Sequence, residues 1–201
     1  MKTQSRHDEM MGLAARALQH FEHQTTDLAP DIMSQPVAAY IDPARYQAER
    51  EGIFKQLPLA LALTLELPSP GDYKAMTVLE TPIILARNQT GEVKCFLNAC
   101  RHRGSRLCDD GCGAARVFSC PYHAWTYDAE GALIGRYGAE TFGEVDPADF
   151  HLTELPCAER CGLIWVTLTP SQSMDIDAWL GDFAAELDTL SLSDWHLHEV
   201  R

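Results

Sequence analysis

Two short pairs of metal-binding side chains carry the chemistry of this chain. They are Cys100-Arg101-His102 and Cys120-Pro121-Tyr122-His123, a C-x-H…C-x-x-H pattern with 17 residues between His102 and Cys120. Two thiolates and two neutral imidazoles suit either zinc or a [2Fe–2S] cluster of mixed ligation. Zinc ligand pairs commonly have roughly two to four residues between them, so one residue between Cys100 and His102 is tight for a single tetrahedral ion. The same spacing is comfortable when cysteine and histidine bind different irons, which favours iron–sulfur. Cys108 and Cys112 add thiols to the same stretch and leave a structural zinc module open as an alternative.

The other candidate residues read more plainly. His20 and His23 share a helix face and suit a solvated surface, as do His196 and His198. Cys157 and Cys161, with C-x3-C spacing, read as small buried residues in a turn before a strand. Arg101, Arg103 and Arg106 form a local basic cluster that can neutralise a negative cofactor, dock a redox partner, or simply be solvated. Asp194-Trp195-His196-Leu197-His198 has the residue types of a two-histidine, one-carboxylate iron site. Its spacing is too tight for one helix to face all three at a metal, so no catalytic residue is assigned.

The elements that must position the two pairs are short strands. Residues 73–79, 82–86 and 93–98 are rich in β-formers, with Asn88-Gln89-Thr90-Gly91 as the turn between the last two. Residues 116–119 lead into Cys120, and 125–127 and 132–134 flank the turn at 128–131. Residues 162–168 form an apolar strand closed by Pro170. Each ligand pair therefore sits just beyond a strand, on a loop. Met10, Leu13, Ala14, Ala17, Leu18 and Phe21 recur at helical spacing, and Asp42-Pro43 opens a helix carrying Tyr46, Arg50, Ile53 and Phe54. Ile176, Trp179, Leu180, Phe183 and Leu187 mark one amphipathic C-terminal helix. The expected class is mostly β: a helical arm over 1–57, a domain of antiparallel sheets over 58–170, and a C-terminal helix and linker over 171–201.

The 201 residues are 46% hydrophobic and 22% charged, enough to bury one real core. A net charge of −13 speaks against nucleic acid or an anionic membrane as partner. The most apolar run, residues 57–67, is too short for a membrane-spanning helix. No signal segment follows the first residues, and seven cysteines is an odd number, so free thiols in a reducing cytoplasm are expected.

The run Asn98-Ala99-Cys100-Arg101-His102-Arg103-Gly104-Ser105-Arg106-Leu107-Cys108, followed by Cys120-Pro121-Tyr122-His123-Ala124-Trp125-Thr126-Tyr127-Asp128, resembles the Rieske segment of aromatic-ring-hydroxylating oxygenase α subunits. The resemblance begins near Tyr40 and reaches at least Val166. It implies that Cys100 and Cys120 bind one iron of a [2Fe–2S] cluster and His102 and His123 the other, with Tyr127, Trp125 and Arg103 around them. It further implies one-electron relay from a ferredoxin or reductase to a catalytic non-haem iron, and membership of a homo-oligomer. That catalytic domain, C-terminal to the Rieske segment in the family, is not read in these residues. A free-standing Rieske carrier is the alternative.

Two departures carry weight. Family members often have glycine where this chain has Ala124, which matters only if the backbone there takes positive φ. Respiratory-type Rieske proteins resemble one another in an extra bridged cysteine and in a serine two residues after the second histidine. Here those places hold Pro121-Tyr122 and Trp125. A missing donor to the cluster disfavours its reduced state, so a potential low in the Rieske range is expected. His102 and His123 lie further from their incoming strands than the cysteines do, which marks the histidine side as the electron exit.

Overall fold

The computed structural model describes residues 2–141, 143–196 and 198, and side chains from Arg6 onward. The chain divides into two units, Met1–Asp42 and Pro43–Arg201. The first holds α1 (Lys2–His23) and α2 (Ala38–Ile41). Where α1 ends, the His20 ring bonds the Thr25 hydroxyl and the Asp27 carboxylate, each at 2.9 Å.

The second unit opens on α3 (Pro43–Glu49), with proline at the position where a helix needs no N–H. It widens into a π-helical turn, Arg50–Phe54. The strands then follow as β1 (Leu59–Leu63), β2 (Asp72–Val78), β3 (Thr81–Arg87), β4 (Val93–Leu97), β5 (Gly111–Ala114), β6 (Val117–Ser119), β7 (Thr126–Asp128), β8 (Leu133–Gly135), β9 (Glu154–Leu155), β10 (Cys157–Arg160) and β11 (Leu163–Val166). They pair antiparallel in three sheets, ordered β1-β11-β10, β5-β2-β3-β4-β9 and β6-β7-β8.

The five-stranded sheet is the middle layer, because the period of a strand sends successive side chains to opposite faces. Ile83 and Leu85 of β3 join Cys95, Leu155, Ile164 and Val166 in one core. Ile84 and Ala86 join Ala75, Phe96, Phe118, Trp125, Tyr127 and Leu133 in another. Burial on both faces is why β3 reads as an unbroken apolar run. Each fully buried side chain of this size contributes about 1.5–3 kcal/mol. Arg87, at the end of β3, forms a two-point ion pair with Glu159 of β10 at 2.8 and 3.0 Å, fixing one sheet against the next. The turn after it is closed by Asn88 Oδ1, which accepts from the N–H groups of Thr90 and Glu92.

Three expectations are corrected. The C-terminal helix is two helices, α4 (Ile176–Leu180) and α5 (Phe183–Asp188), because Gly181 takes φ 52° and ψ −132° between them. Asp175 caps α4 by accepting the Ala178 N–H at 3.0 Å, and Ile176, Leu180 and Ala184 pack on Trp165. Cys157 lies in β10 rather than in a turn; only Cys161 occupies the turn. β5 and β9 form where no strand is expected, β5 from the fully exposed Gly-Cys-Gly-Ala. Among the described residues no helix is long and apolar enough to cross a membrane.

Candidate metal centre

The two ligand loops are copies of one backbone device. In the first, which leaves β4, the Gly104 N–H donates to the Cys100 carbonyl and the Cys100 N–H to the Ser105 carbonyl, both at 2.8 Å. In the second, between β6 and β7, the Ala124 N–H donates to the Cys120 carbonyl at 2.9 Å and the Cys120 N–H to the Trp125 carbonyl at 2.8 Å. Each loop is a single helical turn starting at the cysteine. Each ends on a left-handed residue, Gly104 at φ 76° and Ala124 at φ 53°, which sends the chain back toward its start. The glycine question therefore has an answer: Ala124 sits where a Cβ is strained.

Asn98 anchors the first loop. It is fully buried; its Oδ1 accepts the Leu107 N–H at 2.9 Å and its Nδ2 donates to the Cys108 carbonyl at 2.8 Å. Residues 98–108 are thereby closed on themselves, and Leu107 is driven into the core beneath.

These loops bring the four residues together as two pairs. The thiols of Cys100 and Cys120 are neighbours close enough to shift each other's ionisation, and each is only 3% exposed. The rings of His102 and His123 meet edge to face, centroids 4.7 Å apart, and are partly exposed. Thiols thus lie on the core side and imidazoles on the solvent side. Among the described residues no three His, Cys, Asp or Glu side chains close on one point as a single ion requires. Cys112 lies exposed on β5 opposite Lys74, and Cys108 packs on the core edge.

The electrostatics separate the two thiols. Burial pushes the Cys100 thiol up. Burial acts on Cys120 in the same sense, but the N–H groups of His123 and Tyr122, with Cys100 and Ser105, bring it below its ordinary value. Cys120 is the readier thiolate. Burial lowers the His102 pKa, helped by His123 and Arg103, which keeps an imidazole neutral and able to ligate. Tyr127 is fully buried, and its hydroxyl accepts the Arg101 N–H at 3.0 Å. Its single proton is left for Cys100 Sγ at 3.4 Å. Burial, then the bond to Cys100, raises the Tyr127 pKa far above its usual value, so the donor stays protonated.

Trp125 stacks on His102 at 4.9 Å with 11° between the planes, and Arg103 caps the ring of Tyr122. Tyr122 and Asn98 lay inside the quoted motif without an assigned role. A fully polar residue at a strand end was the available signal for Asn98. His20, His23, His196 and His198 lie away from any such grouping, and Cys157, raised to about 12 by burial, is an inert core thiol.

Three sheets with paired Cys/His loops at one end define a class, and the comparisons agree. Residues 58–142 match the model of the Rieske [2Fe-2S] domain: the chain contains a Rieske domain, with its Rieske-type [2Fe–2S] cluster. It is homologous to the α subunits of ring-hydroxylating dioxygenases. Benzene 1,2-dioxygenase subunit alpha of Pseudomonas putida is 34% identical over 169 residues, covering 84% of this chain and 36% of that protein. The glycine betaine monooxygenase oxygenase subunit of Chromohalobacter salexigens is 32% identical over 193 residues, covering 90% and 43%. The crystal structure of naphthalene 1,2-dioxygenase from Rhodococcus sp. superposes with a TM-score of 0.71 at 35% identity, covering 77% of this chain and 36% of that one. The chain thus spans well under half the length of these relatives.

Proposed function

We propose that Cys100 and Cys120 hold one iron of the cluster, His102 and His123 the other, and that the domain relays single electrons to a non-haem iron oxygenase centre held by residues outside these 201. The donor set fits such a cluster. Neighbouring buried thiols suit one metal, and imidazoles 4.7 Å apart suit its neighbour. The observation that carries the reading is this segregation: buried thiols beneath, partly exposed imidazoles above. When bound, the cluster supplies reversible one-electron chemistry at a potential set by its ligands and their hydrogen bonds.

The chain's own residues prepare that chemistry. Tyr127 donates to Cys100 Sγ, and the low thiol pKa of Cys120 favours ligation. His123 lines a cleft of about 610 Å³ bordered by Tyr122, Tyr137 and Glu140, so a partner can approach that imidazole directly. A ferredoxin or reductase is the donor in this reading, and the substrate belongs to the distant catalytic centre.

Anaerobic purification followed by iron, sulfide and zinc analysis tests the assignment. Two irons and two sulfides per chain, with the spectrum of a histidine-ligated cluster, are expected. Stoichiometric zinc without sulfide would overturn it. His102→Cys or His123→Cys should lower the potential toward the all-thiolate range if a cluster is kept.

A further inference from the structure

The rings around the site form one continuous row. Phe150 meets Trp125 edge-on at 5.5 Å, and Trp125 stacks on His102 at 4.9 Å. His102 meets His123 at 4.7 Å, His123 lies 3.8 Å from Tyr122, and the Arg103 guanidinium carbon stands 5.4 Å from the Tyr122 ring centre. The row runs from the core, where Trp125 is 2% exposed, to the surface, where Tyr122 is 59% exposed. Its order alternates between the loops. Trp125 of the second loop lies on His102 of the first; Arg103 of the first lies on the Tyr122–His123 pair of the second.

We propose that Trp125 and Arg103 are positioning residues that lock the two ligand loops to each other through the histidine rings. The proposal rests on the assignment of His102 and His123 as ligands. An imidazole bonded to a metal through one nitrogen keeps a torsional freedom about that bond. Face contact removes that freedom. For His102 the contact is a buried indole, nearly parallel. For His123 it is Tyr122, which is exposed and is itself held down by a guanidinium. Arginine suits this place because its planar cation matches an aromatic face. The arrangement also opposes separation of the loops, since each reaches across to a ring of the other.

The competing role for Arg103 is charge alone, acting through space on the cluster. A double-mutant cycle on the holoprotein separates the two, using Arg103→Gln, Tyr122→Ala and the double variant. Both changed side chains are exposed, so folding is not at stake. Two quantities are read: the nitrogen hyperfine couplings of the reduced protein by pulsed electron paramagnetic resonance, and the rate of iron loss to a chelator. Arg103→Gln should broaden one of the two imidazole couplings and speed iron loss about two- to fivefold, equivalent to the roughly 0.5–1 kcal/mol of an exposed cation–π contact. With Tyr122→Ala already present, it should change neither. Trp125→Phe should broaden the other coupling. Equal effects of Arg103→Gln in both backgrounds would mean charge alone and overturn the clamp, as would no effect in either. Absence of any imidazole nitrogen coupling in the unmodified holoprotein would instead overturn the ligand assignment.

Discussion

Replacing Ala124 by glycine should stabilise this protein, against the usual direction for such a change. Ala124 lies at φ 53°, is exposed, and follows His123 directly. A side chain with a Cβ in the left-handed region costs about 1–2 kcal/mol. Glycine removes that strain but gives the unfolded chain about 0.4–1 kcal/mol of extra conformational entropy. The difference is a net gain of about 0.5–1 kcal/mol, or roughly 1–4 °C in melting temperature for a chain of this size. The first loop supplies the mirror experiment. Gly104 has φ 76°, and a Cβ built there meets nothing within 4 Å, so Gly104→Ala should cost about the same amount through backbone strain alone. The paired exchange, Ala124→Gly with Gly104→Ala, should come out near neutral. Thermal loss of the visible cluster spectrum at one fixed scan rate measures all three, because unfolding that releases iron is irreversible. Ala148→Gly, in an exposed 3₁₀ turn, is the control and should destabilise. If Ala124→Gly lowers the midpoint as the control does, the left-handed strain is not what the backbone stores there.

Other outcomes follow from the same geometry. Tyr127→Phe removes the donor to Cys100 Sγ and should lower the reduction potential by roughly 20–60 mV, the equivalent of about 1 kcal/mol, read by voltammetry. Asn98→Ala strips the partners from the buried Leu107 N–H and the Cys108 carbonyl and should cost about 2–4 kcal/mol, measured by urea denaturation. If His102 and His123 ligate the cluster as proposed, the potential should be flat at low pH and fall with rising pH once the oxidised cluster's imidazoles lose protons, approaching about 59 mV per pH unit for each proton lost. A flat profile into strongly alkaline solution would show that the exposed rings do not ionise with the cluster.

Those parts of the molecule that depend on periodicity or on ligand chemistry were legible before the structure. β3 and β4 announce themselves by β-branched and apolar runs around an asparagine–glycine turn, and the four ligand candidates by type and spacing. What escaped depends on long-range pairing. β5 is Gly-Cys-Gly-Ala, without a residue of high strand propensity, and exists because β2 offers its edge, setting Lys74 opposite Cys112. β9 is two residues held by Cys95 and Phe96 of β4. The break between α4 and α5 turns on one glycine inside an otherwise helical pattern, Gly181, whose cost a periodicity count does not register. In the site, Tyr127 was legible as a neighbour of the ligand pairs, but committing its proton to Cys100 needs the Arg101 N–H in place. The ring row was not legible at all, since it alternates between residues from two loops.

The two-faced burial of β3 also sets a hierarchy of opening motions. Its amides are covered by a core on either side, so releasing them to solvent requires both cores to come apart together. Deuterium exchange should therefore find β3 among the slowest segments, opening only with global unfolding. The ligand loops have one core beneath them and solvent above, and their amides should exchange through smaller, local fluctuations. Removing iron should widen that gap, quickening exchange in residues 98–108 and 120–125 while β3, with β11 still packed on its other face, keeps its protection.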